Sequence, residues 1–210
     1  ILDLGAGTGA ISLALAKRCS KVFITAIENH TKHLKCLYEN IELNNLLGRI
    51  DVMGLDISEL PDSLIKRKFD HVVCNPPFYN KSSNQLPGET SKRVSSHEGS
   101  VTLEKWIKLA SKFLKKGGSF SLIMPSNRYD ESIEILSKYF LTIRILELIP
   151  RKGKKSKRIL LQGWTKGIKQ IQRLDSIELH TEKNNNFTNK AEKILREGNT
   201  LMLAEPFLDQ

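Results

Sequence analysis

Short apolar runs alternate with segments of helical period almost to the end of the chain. Residues 1–4, 22–27, 49–55, 69–74, 119–124, 142–149 and 158–164 read as strands, being short, apolar and rich in Ile, Leu, Val and Phe. Between them, residues 30–44 place Leu34, Leu37 and Ile41 on one helical face, and residues 58–66, 102–114 and 130–140 are predicted as further helices. Ile11, Leu13, Ala14 and Leu15 alternate with Ser12 and Lys17 at helical spacing after the first strand. Lys115-Lys116-Gly117-Gly118 reads as a basic last turn with a glycine stop. A strand-like segment at 176–180, an Asn-rich turn at 184–186 and a helix near 188–196 complete the pattern. Residues 79–100 break it, with few apolar positions and many Ser, Asn, Gly and Lys, as expected of a long loop where a lid would sit.

Strand–helix alternation of this kind predicts an α/β fold, a doubly wound, seven-stranded, Rossmann-like sheet. Only eight residues link the sixth and seventh strands, too few for a crossover, so the last strand must pair antiparallel. The expected organisation is a core over residues 1–165, with residues 166–210 an extension packed on the same domain.

At 210 residues the chain is of single-domain size and long enough to bury a sizeable core. No stretch approaches 18 apolar residues and no signal peptide is visible, so the expected setting is cytoplasmic, away from a membrane. Cys19, Cys36 and Cys74 are scattered without metal-ligand spacing, so reduced thiols and no metal are expected. A net charge of +10 points to a polyanionic partner. The chain starts with Ile1 inside a strand and is read as N-terminally incomplete.

Candidate chemistry lies in two places. The first strand runs into Asp3-Leu4-Gly5-Ala6-Gly7-Thr8-Gly9, a glycine turn that opens a helix, where missing Cβ atoms let a ligand approach the backbone. A pyrophosphate fingerprint would be Gly-x-Gly-x-x-Gly. The acidic Asp3 instead suits a ligand carrying an amine or a sulfonium. Glu28 ends the next strand, where an acid takes the hydroxyls of a ribose.

The second place is Asn75-Pro76-Pro77-Phe78, directly after the fourth strand. An exocyclic amine on a planar base or an amide is a poor nucleophile, its lone pair being delocalised. The Asn75 side-chain oxygen and the Pro76 carbonyl can each accept one of its hydrogens. The prolines hold that carbonyl without a competing N–H, and Phe78 offers a ring for stacking. A strand-ending turn would also account for Asn-Pro-Pro. Glycine turn, Glu28 and this tetrapeptide together point to an S-adenosylmethionine-dependent methyltransferase.

Arg151, Lys152, Lys154, Lys155, Lys157 and Arg158 crowd the eight-residue link after the sixth strand. A solvated charge run is the ordinary meaning of such a stretch. Its expected place beyond the carboxyl end of a parallel strand favours contact with phosphates.

With these residues laid out, the chain resembles the bacterial tRNA1(Val) adenine-N6-methyltransferase family nearly end to end. The cues are Asp3 to Gly9, Asn75 to Phe78, Ser96-His97-Glu98 before Trp106, Pro150 to Arg158, and Leu179-His180 before a short terminal helix. The resemblance implies methyl transfer to N6 of an adenine in tRNA, in an anticodon loop. It implies that Asp3, Gly5 and Gly7 line the methionine moiety of the cofactor, with Gly9 in the same turn. Glu28 would take the ribose and Asp56 the adenine amino group, although an acid in the place of Asp56 also caps a following helix. On the predicted lid, Tyr79 could assist Phe78 in stacking or pack into the sheet, and His97, like Glu98, could face tRNA phosphate or only the loop, so neither His97 nor Glu98 is placed in the catalytic set. Two other readings stand beside this one: a protein glutamine N-methyltransferase, and an inactive remnant that binds cofactor or RNA. DNA adenine is less well served, since no target-recognition domain is present to read a duplex; a splayed base in an RNA loop fits better.

Overall fold

A computed structural model describes residues 1–77, 101–182 and 185–201. The chain divides into two compact units, Ile1–Ser121 and Leu122–Gln210.

In the first unit the strands are β1 (Leu2–Leu4), β2 (Ile24–Glu28), β3 (Ile50–Gly54), β4 (Phe69–Cys74) and the start of β5 (Leu114–Pro125). They lie in the order β3-β2-β1-β4-β5, and β3, β2, β1 and β4 pair parallel. Helices α1 (Ala10–Arg18), α2 (Thr31–Leu43), α3 (Asp62–Ile65) and α4 (Leu103–Phe113) connect them. Every residue of β1 and β2 is buried, which is why both are mainly apolar, with Asp3, Thr25 and Glu28 as the polar exceptions. Leu37 and Ile41 of α2 close over Ile24, Ala26 and Ile50, with Ala16 from α1 in the same cluster.

In α1 the buried residues are Ser12, whose hydroxyl donates to the buried Asp3, and Ala16, while Leu13 and Leu15 are partly buried against the core cluster. Two expectations for this unit are corrected. The helix expected over 58–66 is only the four residues of α3. Lys115 to Gly118 is not a helix stop but the start of β5, which follows α4 at once. Gly118 is needed because a Cβ there would lie 2.8 Å from the Asp70 carbonyl of the neighbouring strand. Lys115 also reaches across to Asp70, at 2.9 Å.

The second unit holds the end of β5, a 3-10 turn (Ser126–Arg128), α5 (Tyr129–Tyr139), β6 (Thr142–Ile149), β7 (Arg158–Trp164), β8 (Gln170–Arg173), β9 (Ile177–Glu178) and α6 (Asn189–Leu195). β6 and β7 pair antiparallel from Thr142–Trp164 to Leu148–Arg158, as the short link requires. The seven expected strands are all present. β9 falls within the strand-like segment expected at 176–180, and β8 adds one more; both pair parallel to β6. All four residues of β8 are exposed, so it carries no apolar alternation by which to find it in the sequence.

Candidate active site

Register brings the chemistry together. Leu4 lies opposite Ile27 on one side and opposite Cys74 on the other, so Gly5, Glu28 and Asn75 leave three neighbouring strands at the same level. Glu28 in turn pairs with Gly54, two residues before Asp56. The chain departs from β1 toward β2 on one side while β4 lies on the other. This is a topological switch point, and a crevice opens there beyond the strand ends. A cavity of about 430 Å³ occupies it. Gly5, Gly7, Glu28, Asp56, Asn75 and Pro77 all line that cavity.

The glycine turn is closed on itself. Gly5, Gly7 and Gly9 have φ of 72°, 58° and 94°, which L side chains rarely adopt. The N–H groups of Gly5 and Ala6 both donate to the Ile27 carbonyl at 2.9 Å, and that of Gly9 donates to Ala6 at 2.9 Å. Gly7 N–H donates to Glu28 Oε2 at 2.8 Å. Four N–H groups are thereby used, whereas a phosphate-binding turn presents its N–H groups to the ligand. Gly9 is absent from the cavity wall; a Cβ there would meet Leu37 Cδ1 at 2.5 Å, so it serves the packing of α2.

Glu28 is held from three sides. Besides Gly7, its Oε1 accepts from His30 N–H at 2.8 Å and Asn29 N–H at 3.1 Å, and His33 Nδ1 stands 3.7 Å away. Oε2 has a second lone-pair site beyond the one that Gly7 uses. Asp56 Oδ1 accepts from Ser58 N–H at 2.7 Å and Oδ2 from Asn29 Nδ2 at 2.8 Å. The hydrogen bonds from Ser58, then the one from Asn29, hold its carboxyl below the usual range. It therefore caps its own turn while facing the cavity.

Asp3 does not reach the wall. It is fully buried; Oδ2 accepts from Ser12 Oγ at 2.7 Å, and Oδ1 has no hydrogen-bond partner among the described residues. Burial pushes its carboxyl up to about 6. Pro76 is buried and likewise off the wall, while Asn75 is exposed toward solvent and Pro77 half-buried. Phe78, Tyr79, His97 and Glu98 lie outside the described residues. The Cys74 thiol is fully buried and pushed up by that burial, as befits a packing residue.

Sequence reasoning missed Asn29, His30, His33 and Trp106 on the cavity wall. Trp106 reads from the sequence as one more apolar residue on a helix face, with Leu103, Ile107 and Ala110. Its ring edge faces Gly5, where a Cβ would come within 2.8 Å of Cη2.

The six basic residues lie in the second unit. Arg151 bonds Asn185, and Lys152 pairs with Glu182 at 3.7 Å, so two of the six are tied to the segment after β9. Gly153, with φ 71°, turns the loop, and Lys154 N–H donates to the Arg151 carbonyl at 3.0 Å. The side chains of Lys154, Lys155, Lys157 and Arg158 are exposed. Nearby, the rings of His180 and Phe187 stack 5.0 Å apart.

Residues 1–149 match the model of the methyltransferase small domain family. A tRNA1(Val) (adenine(37)-N6)-methyltransferase of Bacteroides fragilis is 32% identical over 162 residues, covering 77% of this chain and 67% of that protein. Its counterpart in Porphyromonas gingivalis is 34% identical over 162 residues, 76% of this chain and 63% of that one. The chain thus spans two thirds or less of the length of such relatives. Among solved structures, a predicted O-methyltransferase from Agrobacterium tumefaciens superposes with a TM-score of 0.73 at 23% identity, over 92% of this chain and 86% of that one. The Thermus thermophilus 16S rRNA N2 G1207 methyltransferase does so at 0.55 and 23%, over 79% and 37%. The parallel sheet with its antiparallel strand is the fold of these enzymes, and the chain belongs to the methyltransferase small domain family, with the tRNA1(Val) adenine-N6-methyltransferases among its relatives.

Proposed function

We propose that this S-adenosylmethionine-dependent methyltransferase acts on the exocyclic N6 of an adenine in tRNA, as its tRNA1(Val) relatives are named for doing. The observation that carries this reading is that Asn75 and Pro77 line the same cavity as Glu28 and the glycine turn. A planar amine held by Asn-Pro-Pro would then meet a methyl donor held by the turn.

The residues present suit such a cofactor. Glu28 has a lone-pair site left for a ribose hydroxyl, and Gly5, Ala6, Gly7 and Gly9 spend their N–H groups inside the turn, so these four do not ask for a phosphate. Asp3 lies off the cavity wall, so it would favour a ligand ammonium near Gly5 and Gly7 through its negative charge and not by contact. Asp56 would face the adenine amino group. When bound, S-adenosylmethionine supplies a methyl group made electrophilic by its sulfonium.

The chain's own work is positioning. Asn75 Oδ1 and the Pro76 carbonyl accept the two hydrogens of the target amine and so aim its lone pair. Holding the two reactants in line supplies most of the rate, and the proton leaves easily once nitrogen bears positive charge. Phe78, outside the described residues, would stack on the base. Arg151, Lys152, Lys154, Lys155, Lys157 and Arg158 would meet tRNA phosphates, the dominant source of RNA affinity. A cytoplasmic setting goes with that partner; among the described residues no helix is long and apolar enough to cross a membrane.

The test is mass spectrometry of tRNA nucleosides after incubation with isotopically labelled cofactor. Labelled N6-methyladenosine is the expected product. Label in protein glutamine instead, or cofactor binding with no product, would replace this reading by one of its two competitors.

A further inference from the structure

The two acids on the cavity wall share a neighbour. Glu28 and Asp56 stand on adjacent strand ends, where Glu28 pairs with Gly54. Asn29 touches both: its backbone N–H donates to Glu28 Oε1 at 3.1 Å, and its Nδ2 donates to Asp56 Oδ2 at 2.8 Å. Asn29 itself lines the cavity and is exposed. The amide can face Asp56 only with its NH2 group, because a carboxylate offers acceptors alone.

An Asn at the entrance to a helix ordinarily turns its side chain onto the first N–H groups of that helix. Asn29 stands just before α2, yet its side-chain hydrogen bond among the described residues goes to Asp56, 27 residues away. A bond between exposed groups adds little to folding, since water would serve each partner in its place. What it fixes is the plane of a carboxylate. The terminal torsion of an Asp is broad and roughly two-fold. Ser58 N–H, 2.7 Å from Oδ1, leaves that plane free to turn, and a second donor on Oδ2 stops it. The lone pairs that remain on Asp56 then point in set directions.

We propose that Asn29 is a positioning residue that sets the cofactor's base specificity: by pinning Asp56 it holds a carboxylate oxygen where it accepts from the exocyclic amine of adenine and repels an oxo group in the same place. The inference rests on the reading that puts the cofactor adenine at Asp56. Replacing the Asn29 side chain leaves its backbone N–H on Glu28, so the ribose anchor is kept and the two ends of the nucleoside can be tested apart.

Calorimetric titration with S-adenosylhomocysteine and with S-inosylhomocysteine, whose 6-amino group is an oxo group, reads the specificity. The parent should prefer the amino compound by about tenfold to a hundredfold, the scale of a hydrogen bond to a charged group. Asn29→Ala should lower that preference by about threefold to tenfold, the scale of one ordinary hydrogen bond. Asn29→Asp, of the same shape but without the donor, should lose at least as much. The cost of removing the ribose 2′-hydroxyl should be the same in parent and Asn29→Ala. In an Asp56→Ala background, Asn29→Ala should no longer change the preference, because the two side chains act as one unit. If Asn29→Ala weakens both nucleosides equally, Asn29 only shapes the wall and the inference fails; the same follows if its effect persists without Asp56. A parent that binds both nucleosides alike would take the adenine away from Asp56 and overturn the underlying reading as well, whereas a parent that discriminates no better than Asn29→Ala while Asp56→Ala abolishes the preference would overturn this inference alone.

Discussion

Asn75 stands where the target amine must be aimed, on the wall of the cavity and with its side chain exposed. Asn75→Ala should therefore lower turnover by a hundredfold or more, on the order expected when positioning is lost, and leave the cofactor dissociation constant within about twofold. Single-turnover rates beside a binding titration check this. Asp3 makes a different kind of prediction, in stability. Burial raises its carboxyl from 3.8 to about 6 in the folded chain. Below the lower value both states are protonated and the contribution is fully present. As pH rises the unfolded chain releases its proton first, so stability falls through this window, by on the order of 3 kcal/mol. Asp3→Asn should flatten that part of the profile, read from urea midpoints between about pH 4 and 7. A variant with the parent's slope would mean that another group titrates there.

Among the elements, the glycine turn and the basic loop look alike in sequence, as short stretches of unusual composition, yet their glycines do different work. Gly7 faces open space on the cavity side, while Gly9 is pressed against Leu37 of α2. Gly9→Ala should cost roughly 1–3 kcal/mol of stability, from strain at φ 94° and displacement of Leu37. Thermal melts without ligand would show it, and a variant as stable as the parent would deny Gly9 its packing role. In the link between β6 and β7, Arg151 and Lys152 are engaged by Asn185 and Glu182, so Lys154, Lys155 and Lys157 are the better candidates for phosphate binding. Replacing those three by Ala should weaken tRNA binding and flatten its salt dependence by about 0.7 to 0.9 in log–log slope for each phosphate no longer neutralised. Melting temperature and cofactor affinity should stay put, since the lysines are exposed. Identical salt slopes for parent and variant would leave the loop a solvated surface.

On the scale of the whole molecule, ligand binding and folding are linked, because a group that binds only the folded chain stabilises it. S-Adenosylhomocysteine at a hundred times its dissociation constant should add about 2.7 kcal/mol, or roughly 5–10 °C in Tm for a chain of this size. Glu28→Ala should shrink that shift and also lower the ligand-free Tm, since Gly7, Asn29 and His30 would lose their shared acceptor. A lower Tm with the full ligand shift retained would mean that Glu28 holds the turn and not the ribose. The sequence alone determined which segments become buried strands, because a strand covered on both faces is mainly apolar, as β1 and β2 are apart from Asp3, Thr25 and Glu28. It also determined the antiparallel turn from β6 to β7, by the shortness of the link, and the chemistry offered by the glycine turn, Glu28 and Asn75. These are local matters, set by residue type and spacing. Tertiary structure decided the rest. Strand register put Gly5, Glu28 and Asn75 side by side although 70 residues separate the first from the last. Neighbouring strands, not helix-stop rules, drew Lys115 to Gly118 into β5, and β8 formed by pairing with β6 with no apolar pattern to foretell it. Trp106 and His30 reached the cavity because packing turned them there.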